Sequence, residues 1–271
     1  MYIKADLKND LKKLGINQYG TLLVHSSYKS IGDVKGGPDT VLDSLIEYMN
    51  KGLLVLPTHT WSYINKENPN FYVDQSKSCI GILTEKFRHR DGVIRSWHPT
   101  HSVGALGKEA SDFVKGDEQF DTPCARGSAW GKLLDRKAQI MLLGVDLTRN
   151  TFIHGVEEWV DIPGRLSDGH EQLYTITPDG RKISVPSRRH EGLHWSEHFW
   201  KVEDLLLEVG AMYMGKFGDA KVRICDTVKM TEALKTMLSI DRDLFSTNEP
   251  LTDAFKKQFE EDMCKKTYGS C

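Results

Sequence analysis

Residues 138–145, AQIMLLGV, form an apolar run of strand length that only Gln139 interrupts. A strand on the surface alternates apolar and polar positions, so an unbroken run of this kind requires cover on both faces. Two further runs of the same character, 21–25 and 53–57, flank a segment with apolar residues at Val41, Leu42, Leu45 and Met49, the spacing of a helix. Pro38 suits the first turn of that helix because it has no N–H to leave unpaired, and Gly36 and Gly37 before it permit a tight entry. Strand, helix, strand in this order predicts an α/β fold: a three-layer α/β/α sandwich whose central sheet is mostly parallel or mixed.

The reading continues with helices near 81–89 and 128–134, a short strand near 92–95, and a turn-rich stretch over 96–107. A further helix opens at Asn150-Thr151 and is stopped by Pro163-Gly164. Over 163–198 the character changes. Segments 174–177 and 182–185 flank Pro178-Asp179-Gly180 as the arms of an antiparallel hairpin do, which predicts a small β insertion. Regular patterning resumes with helices over 199–210 and 227–238, a hairpin at Gly218-Asp219, and a last helix over 253–263. No repeat or linker divides residues 1–271, so one domain is expected.

Lys and Arg number 36 against 38 Asp and Glu, a formal net charge of −2, and no basic block stands out, which argues against nucleic acid as a partner. The apolar runs are too short to span a bilayer, and the first residues lack the features of a signal peptide, so no membrane association is expected. Cys79, Cys124, Cys225, Cys264 and Cys271 are odd in number and form no C-x-x-C pair. That usage fits reduced thiols in a cytoplasm.

Three places carry candidate chemistry. The first run ends in His25, Ser26 and Ser27, followed by Tyr28-Lys29-Ser30 and by Lys35-Gly36-Gly37-Pro38. Ligands bind at such strand ends in α/β sheets, and serine hydroxyls, glycine amides, a lysine and a helix N-terminus together suit a pyrophosphate. An ordinary strand-to-helix turn has the same composition, and the segment is neither a P-loop nor a G-x-G-x-x-G. The second place is Thr151-x-x-His154-x-x-Glu157-Glu158. Positions three and four apart share a helix face, so either carboxylate can hold His154 and raise the basicity of its other ring nitrogen, as a general base requires. A surface His-Glu pair is the plainer alternative.

The third place joins Thr58-His59-Thr60 to His98-Pro99-Thr100-His101-Ser102. With His25 these histidines raise a metal-dependent hydrolase as a competing function. The spacing is not the helical H-E-x-x-H, no acidic residue adjoins them, and structural histidines are the better reading, so no metal is expected. Ser128 in GSAWG does not match G-x-S-x-G, so no nucleophile elbow is expected there.

Taken in order, VHSSYKSIG, GGPDTVLDSL, LLVLPTHT, SWHPTHSVGALG, GSAWGKL and LLGVDLTRNTFIHGVEE resemble the aminoglycoside 3-N-acetyltransferase family across roughly residues 5–235, and its bacillus-type members in particular. These are antibiotic N-acetyltransferases outside the GNAT fold. The resemblance implies direct transfer of an acetyl group from acetyl-CoA to an amine of an aminoglycoside or similar polyamine, without an acyl-enzyme. It implies His154 as general base oriented by Glu157. It places coenzyme A at His25, Ser26, Ser27, Lys29, Ser30, Gly36 and Gly37, with Ser102 and Val103 lining the same channel. The insertion 163–198 then helps form the acceptor site, in a protein that works as a monomer or homodimer. Val103 and Ala129 stand where family members tend to carry an aromatic residue and a proline, which bears on pocket shape rather than on the reaction. A coenzyme A-binding protein with little catalysis is a third reading, against which the intact His154 and Glu157 argue.

Overall fold

In the computed structural model, residues 1–192 and 195–268 are described. The elements in chain order are α1 (Lys4–Lys13), β1 (Thr21–Ser26), α2 (Gly37–Tyr48), β2 (Leu53–Pro57), β3 (Asn70–Tyr72), α3 (Ile82–Phe87), β4 (Ile94–Arg95) and β5 (Val103–Gly107). There follow α4 (Ala110–Val114), α5 (Ala129–Asp135), β6 (Gln139–Leu143), α6 (Thr151–Trp159), β7 (Glu171–Ile176) and β8 (Lys182–Ser187). The chain closes with α7 (Glu203–Glu208), β9 (Met212–Phe217), β10 (Ala220–Asp226), α8 (Thr227–Ile240) and α9 (Asp253–Tyr268).

Seven strands form the main sheet in the order β4-β5-β2-β1-β6-β10-β9. Its centre, β2-β1-β6, is parallel, and the strands on either side run antiparallel, so the sheet is mixed. The two-residue period of a strand divides the core cleanly. Leu22, Val24, Met141 and Leu143 pack on one face with α1, α2 and α3, whereas Leu23, Ile140 and Leu142 pack on the other with α5, α6 and α8. This is the expected three-layer arrangement, and the β1 residue that follows Leu23 on the second face is His25.

The structure departs from the sequence reading in three places. The stretch 96–107 is not all turn: Val103–Gly107 is the antiparallel neighbour of β2. Gly104 and Gly107 hide it, because glycine lowers strand propensity, yet a Cβ on Gly107 would stand 2.3 Å from the Gly52 carbonyl oxygen. The β7–β8 hairpin forms as predicted, but β3, from far upstream, adds in parallel to β7 and completes a three-stranded sheet over a small core of Ile64, Phe71, Val73 and Leu173. The insertion is therefore built on the main chain rather than self-contained. Cys79, Cys124 and Cys225 are free thiols as expected, whereas Cys264 is disulfide-bonded, against expectation; Cys271 lies outside the described residues. No described helix is long and apolar enough to cross a membrane.

Candidate active site

The parallel strands β1, β2 and β6 all end on the same side of the sheet, and a cleft of about 790 Å³ opens there. His25 and Ser26 from the end of β1, Pro57 and His59 from the end of β2, and Thr148 and Arg149 after β6 line it. Thr151 and His154 of α6 and the segment Arg189 to Glu191 after β8 close it. Two segments that the sequence singled out separately, the His25-Ser26 strand end and the Thr151-x-x-His154 turn, thus face one cavity.

Helix α6 begins where the Asn150 side chain accepts a hydrogen bond from the Phe152 N–H, a cap that fixes which side chains point inward. His154 Nδ1 lies 3.0 Å from Glu157 Oε2, three residues on and fully buried. Arg165 stands against the same pair, its Nε 3.0 Å from Glu157 Oε2 and its Nη2 2.6 Å from His154 Nδ1. A guanidinium only donates, so Nδ1 can either give its proton to Glu157 or accept one from Arg165, and not both at once. Glu158, the next residue, serves another histidine: its Oε1 lies 2.5 Å from His190 Nε2 and accepts from the Cys124 backbone N–H at 2.9 Å.

Histidine rings continue along the cleft. His154 and His190 have centroids 4.6 Å apart, His190 and His101 5.4 Å, and His101 and His59 4.7 Å; Trp130 then lies between His59 and His25. His25, His59, His101 and Trp130 are buried and His154 and His190 are mostly covered, and desolvation disfavours the charged forms of the imidazoles. Burial lowers His25 to about 3 and takes His59, His101 and His190 well below the ordinary value. His154 is lowered too: burial outweighs the upward pull of Glu157, and Arg165 adds to the lowering. The expectation that the carboxylate makes this imidazole more basic is corrected in its net sign, since the sequence shows the partner but not the desolvation. The same burial pushes the Glu158 carboxyl up to about 7.

Of the remaining predicted residues, Ser27 ties β1 to β6 through its N–H to the Leu143 carbonyl at 2.8 Å, and the Ser30 hydroxyl donates back to the Ser27 carbonyl at 2.7 Å. Lys29 is exposed on this turn. Gly36 and Gly37 adopt positive φ of 83° and 67° at the start of α2, which only glycine does without strain. Ser102 and Val103 are fully buried and do not line the cleft. The Ser102 hydroxyl is held by Thr58 and by the buried guanidinium of Arg95. Ser128 caps α5, accepting from the Trp130 N–H.

The four histidines of the hydrolase reading do not form a ligand set. Among the described residues the single group of three with ligand atoms within 4.8 Å of one another is Cys124, Glu158 and His190. His98 instead accepts backbone N–H bonds from Thr100 and His101 on Nδ1, closing its own turn. Sequence reasoning missed His190, whose partner Glu158 lies 32 residues earlier, and Arg165, which folds back on His154 and Glu157 from beyond the end of their helix; no local pattern marks either.

The family profile described as Aminoglycoside 3-N-acetyltransferase matches residues 23–239. The chain belongs to this family. The aminoglycoside N(3')-acetyltransferase-like protein YokD of Bacillus subtilis (strain 168), described as derived from the SPbeta prophage, is 28% identical over 85% of this chain and 89% of its own. Aminoglycoside N(3)-acetyltransferase VII of Streptomyces paromomycinus is 29% identical over 66% of this chain and 68% of its own length. Among solved structures, a histidine-to-alanine variant of aminoglycoside acetyltransferase AAC(3)-IVa in complex with a gentamicin superposes with a TM-score of 0.78, at 25% identity, covering 90% of this chain and 91% of that one.

Proposed function

We propose that this family member transfers the acetyl group of acetyl-CoA directly to an amine of an aminoglycoside or a similar polyamine, with His154 as the general base. The observation that carries the reading is that His154 and the serine-bearing end of β1 line one cleft. In the proposed arrangement the thioester lies along Ser26 and Ser27, with Lys29, Ser30 and the Gly36-Gly37 turn at the start of α2 taking the phosphates of coenzyme A. His25 forms the wall beneath.

For His154 to accept a proton on Nε2, Nδ1 must carry one and donate it to Glu157; Arg165 then pairs with the carboxylate as its counter-ion, Nε 3.0 Å away. Burial supports this role even though it lowers the ring's affinity for protons, because a neutral imidazole is the form that can accept one. The amine attacks the thioester carbonyl as His154 removes its proton, the C–S bond breaks, and the proton passes to the thiolate. No nucleophilic side chain is needed, and holding both substrates in one cleft supplies much of the rate. The β7–β8 side of the cleft is the proposed acceptor wall. His154→Ala should abolish coenzyme A release in a thiol assay while calorimetry still detects coenzyme A binding. Turnover close to the unsubstituted level would remove His154 from the reaction.

A further inference from the structure

An amine acceptor must lose two protons in the course of the reaction. At neutral pH an alkyl amine arrives as R–NH₃⁺, since such groups titrate near 10, as lysine does. Forming R–NH–CO–CH₃ removes two protons from that nitrogen, one before it can attack and one as the C–N bond forms. The second ends on sulfur as the thiol of coenzyme A, and the first must leave as H⁺.

Helix α6 presents two histidine-carboxylate pairs side by side. His154 uses Nδ1 on Glu157 and keeps Nε2, whereas His190 uses Nε2 on Glu158 at 2.5 Å and keeps Nδ1. Their rings are 4.6 Å apart, and both residues line the cleft. Facing His190 are His154 and Glu158 from α6, His101 before β5, His59 after β2, Arg165, and the Cys124 thiol, which lies within 4.8 Å of both His190 and Glu158. The 2.5 Å contact makes His190 and Glu158 a hydrogen-bonded dyad, because two ligands on one tetrahedral zinc stand roughly 3.3 Å apart given bonds of about 2.0 Å.

We infer that His190, oriented by Glu158, is a second catalytic base that takes the first proton from a primary ammonium acceptor, leaving His154 free for the proton lost during attack. This rests on the assignment of His154 above. The His190–Glu158 dyad receives the proton on Nδ1 and returns it to solvent through the cleft mouth, and the amine lone pair so released attacks the thioester carbon. The C–N bond forms, the C–S bond breaks with its electron pair on sulfur, and the proton held by His154 completes the thiol. The balance is R–NH₃⁺ + CH₃CO–S–CoA → R–NH–CO–CH₃ + HS–CoA + H⁺. Burial holds the His190 ring well below its ordinary value and pushes the Glu158 carboxyl up to about 7, so the proton gained at Nδ1 is accommodated by passing the Nε2 proton across the hydrogen bond to Glu158, which exchanges near neutrality.

The test compares His190→Asn and Glu158→Gln with the unsubstituted protein on two acceptors, an alkyl amine that is ionised at pH 7 and an aromatic amine that is already neutral. For the alkyl amine, kcat/KM of His190→Asn should fall on the order of a hundredfold at pH 7, with the deficit closing as pH rises toward the amine's own titration. The aromatic amine should be nearly unaffected. Glu158→Gln keeps an acceptor for the ring and should show the same pH signature with a smaller loss. A deficit that is equal on both amines and flat with pH, or no deficit, overturns the inference. His154→Ala should be inactive on both amines at every pH. An active His154→Ala instead sinks the reading of His154, and this inference with it.

Discussion

Glu157→Gln isolates the carboxylate behind His154 with almost no change of shape. Glu157 is 0% exposed, Arg165 4% and His154 14%, so water cannot replace what the substitution removes. Both contacts fall on one oxygen, Oε2, so the introduced amide can keep an acceptor there, but it takes from a buried cation the anion that now stands 3.0 Å away. Breaking a buried pair in this way costs about 3–5 kcal/mol. At 2–4 °C per kcal/mol for a chain of this size, Tm should drop by roughly 6–20 °C. The same change removes the anion that keeps Nδ1 protonated, so kcat should fall by about 10²–10⁴. Differential scanning calorimetry reads the first quantity and a thiol-release assay at a temperature well below the new Tm reads the second. A Tm within about 2 °C of the unsubstituted protein together with a kcat within about threefold would refute the reasoning, because neither the buried pair nor the orienting role could then hold.

Two further outcomes follow from the geometry. Ser26→Ala combined with Ser27→Ala should weaken coenzyme A binding measured by calorimetry without changing the fold seen by circular dichroism; unchanged affinity would place the coenzyme elsewhere. Stability should decline as pH falls below 6.5. Burial holds His98 at about 4 and His25 at about 3, so these rings stay neutral when folded but take protons when unfolded, and the stability they contribute is full above 6.5 and lost toward those values. His98 alone accounts for roughly 3 kcal/mol of this. Glu158 and Asp117 oppose the trend, their contributions being full below 4.5 and 3.8 and lost as pH rises through about 7 and about 6, but two carboxyls are set against several histidines. Urea midpoints that stay flat between pH 6.5 and 5 would contradict this.

What could be read from the chain divides along physical lines. Strands β1, β2 and β6 are runs of apolar residues covered on both faces, and α2 and α6 carry helical spacing with clear starts, so both layers and the parallel centre were legible. Strand β5 was not, because its glycines weaken the signal, and β3 was not, because three residues have no periodicity to read. The same split governs the site. His154 and Glu157 share one helical turn, so their pairing is a property of local geometry. The approach of His190 to Glu158 and of Arg165 to both His154 and Glu157 depends on how the 163–198 segment folds back over α6. The net direction of the His154 shift depends on burial, which no local spacing encodes.

The parallel pairing of β3 with β7 also constrains any exchange of parts between relatives. Residues 163–198 invite transplantation as a cassette, yet the backbone edge of β7 is completed by Asn70–Tyr72, and the Thr175 hydroxyl is anchored on the Trp97 carbonyl. A chimaera that moves the cassette without those two stretches carries an open strand edge, and such edges recruit other chains.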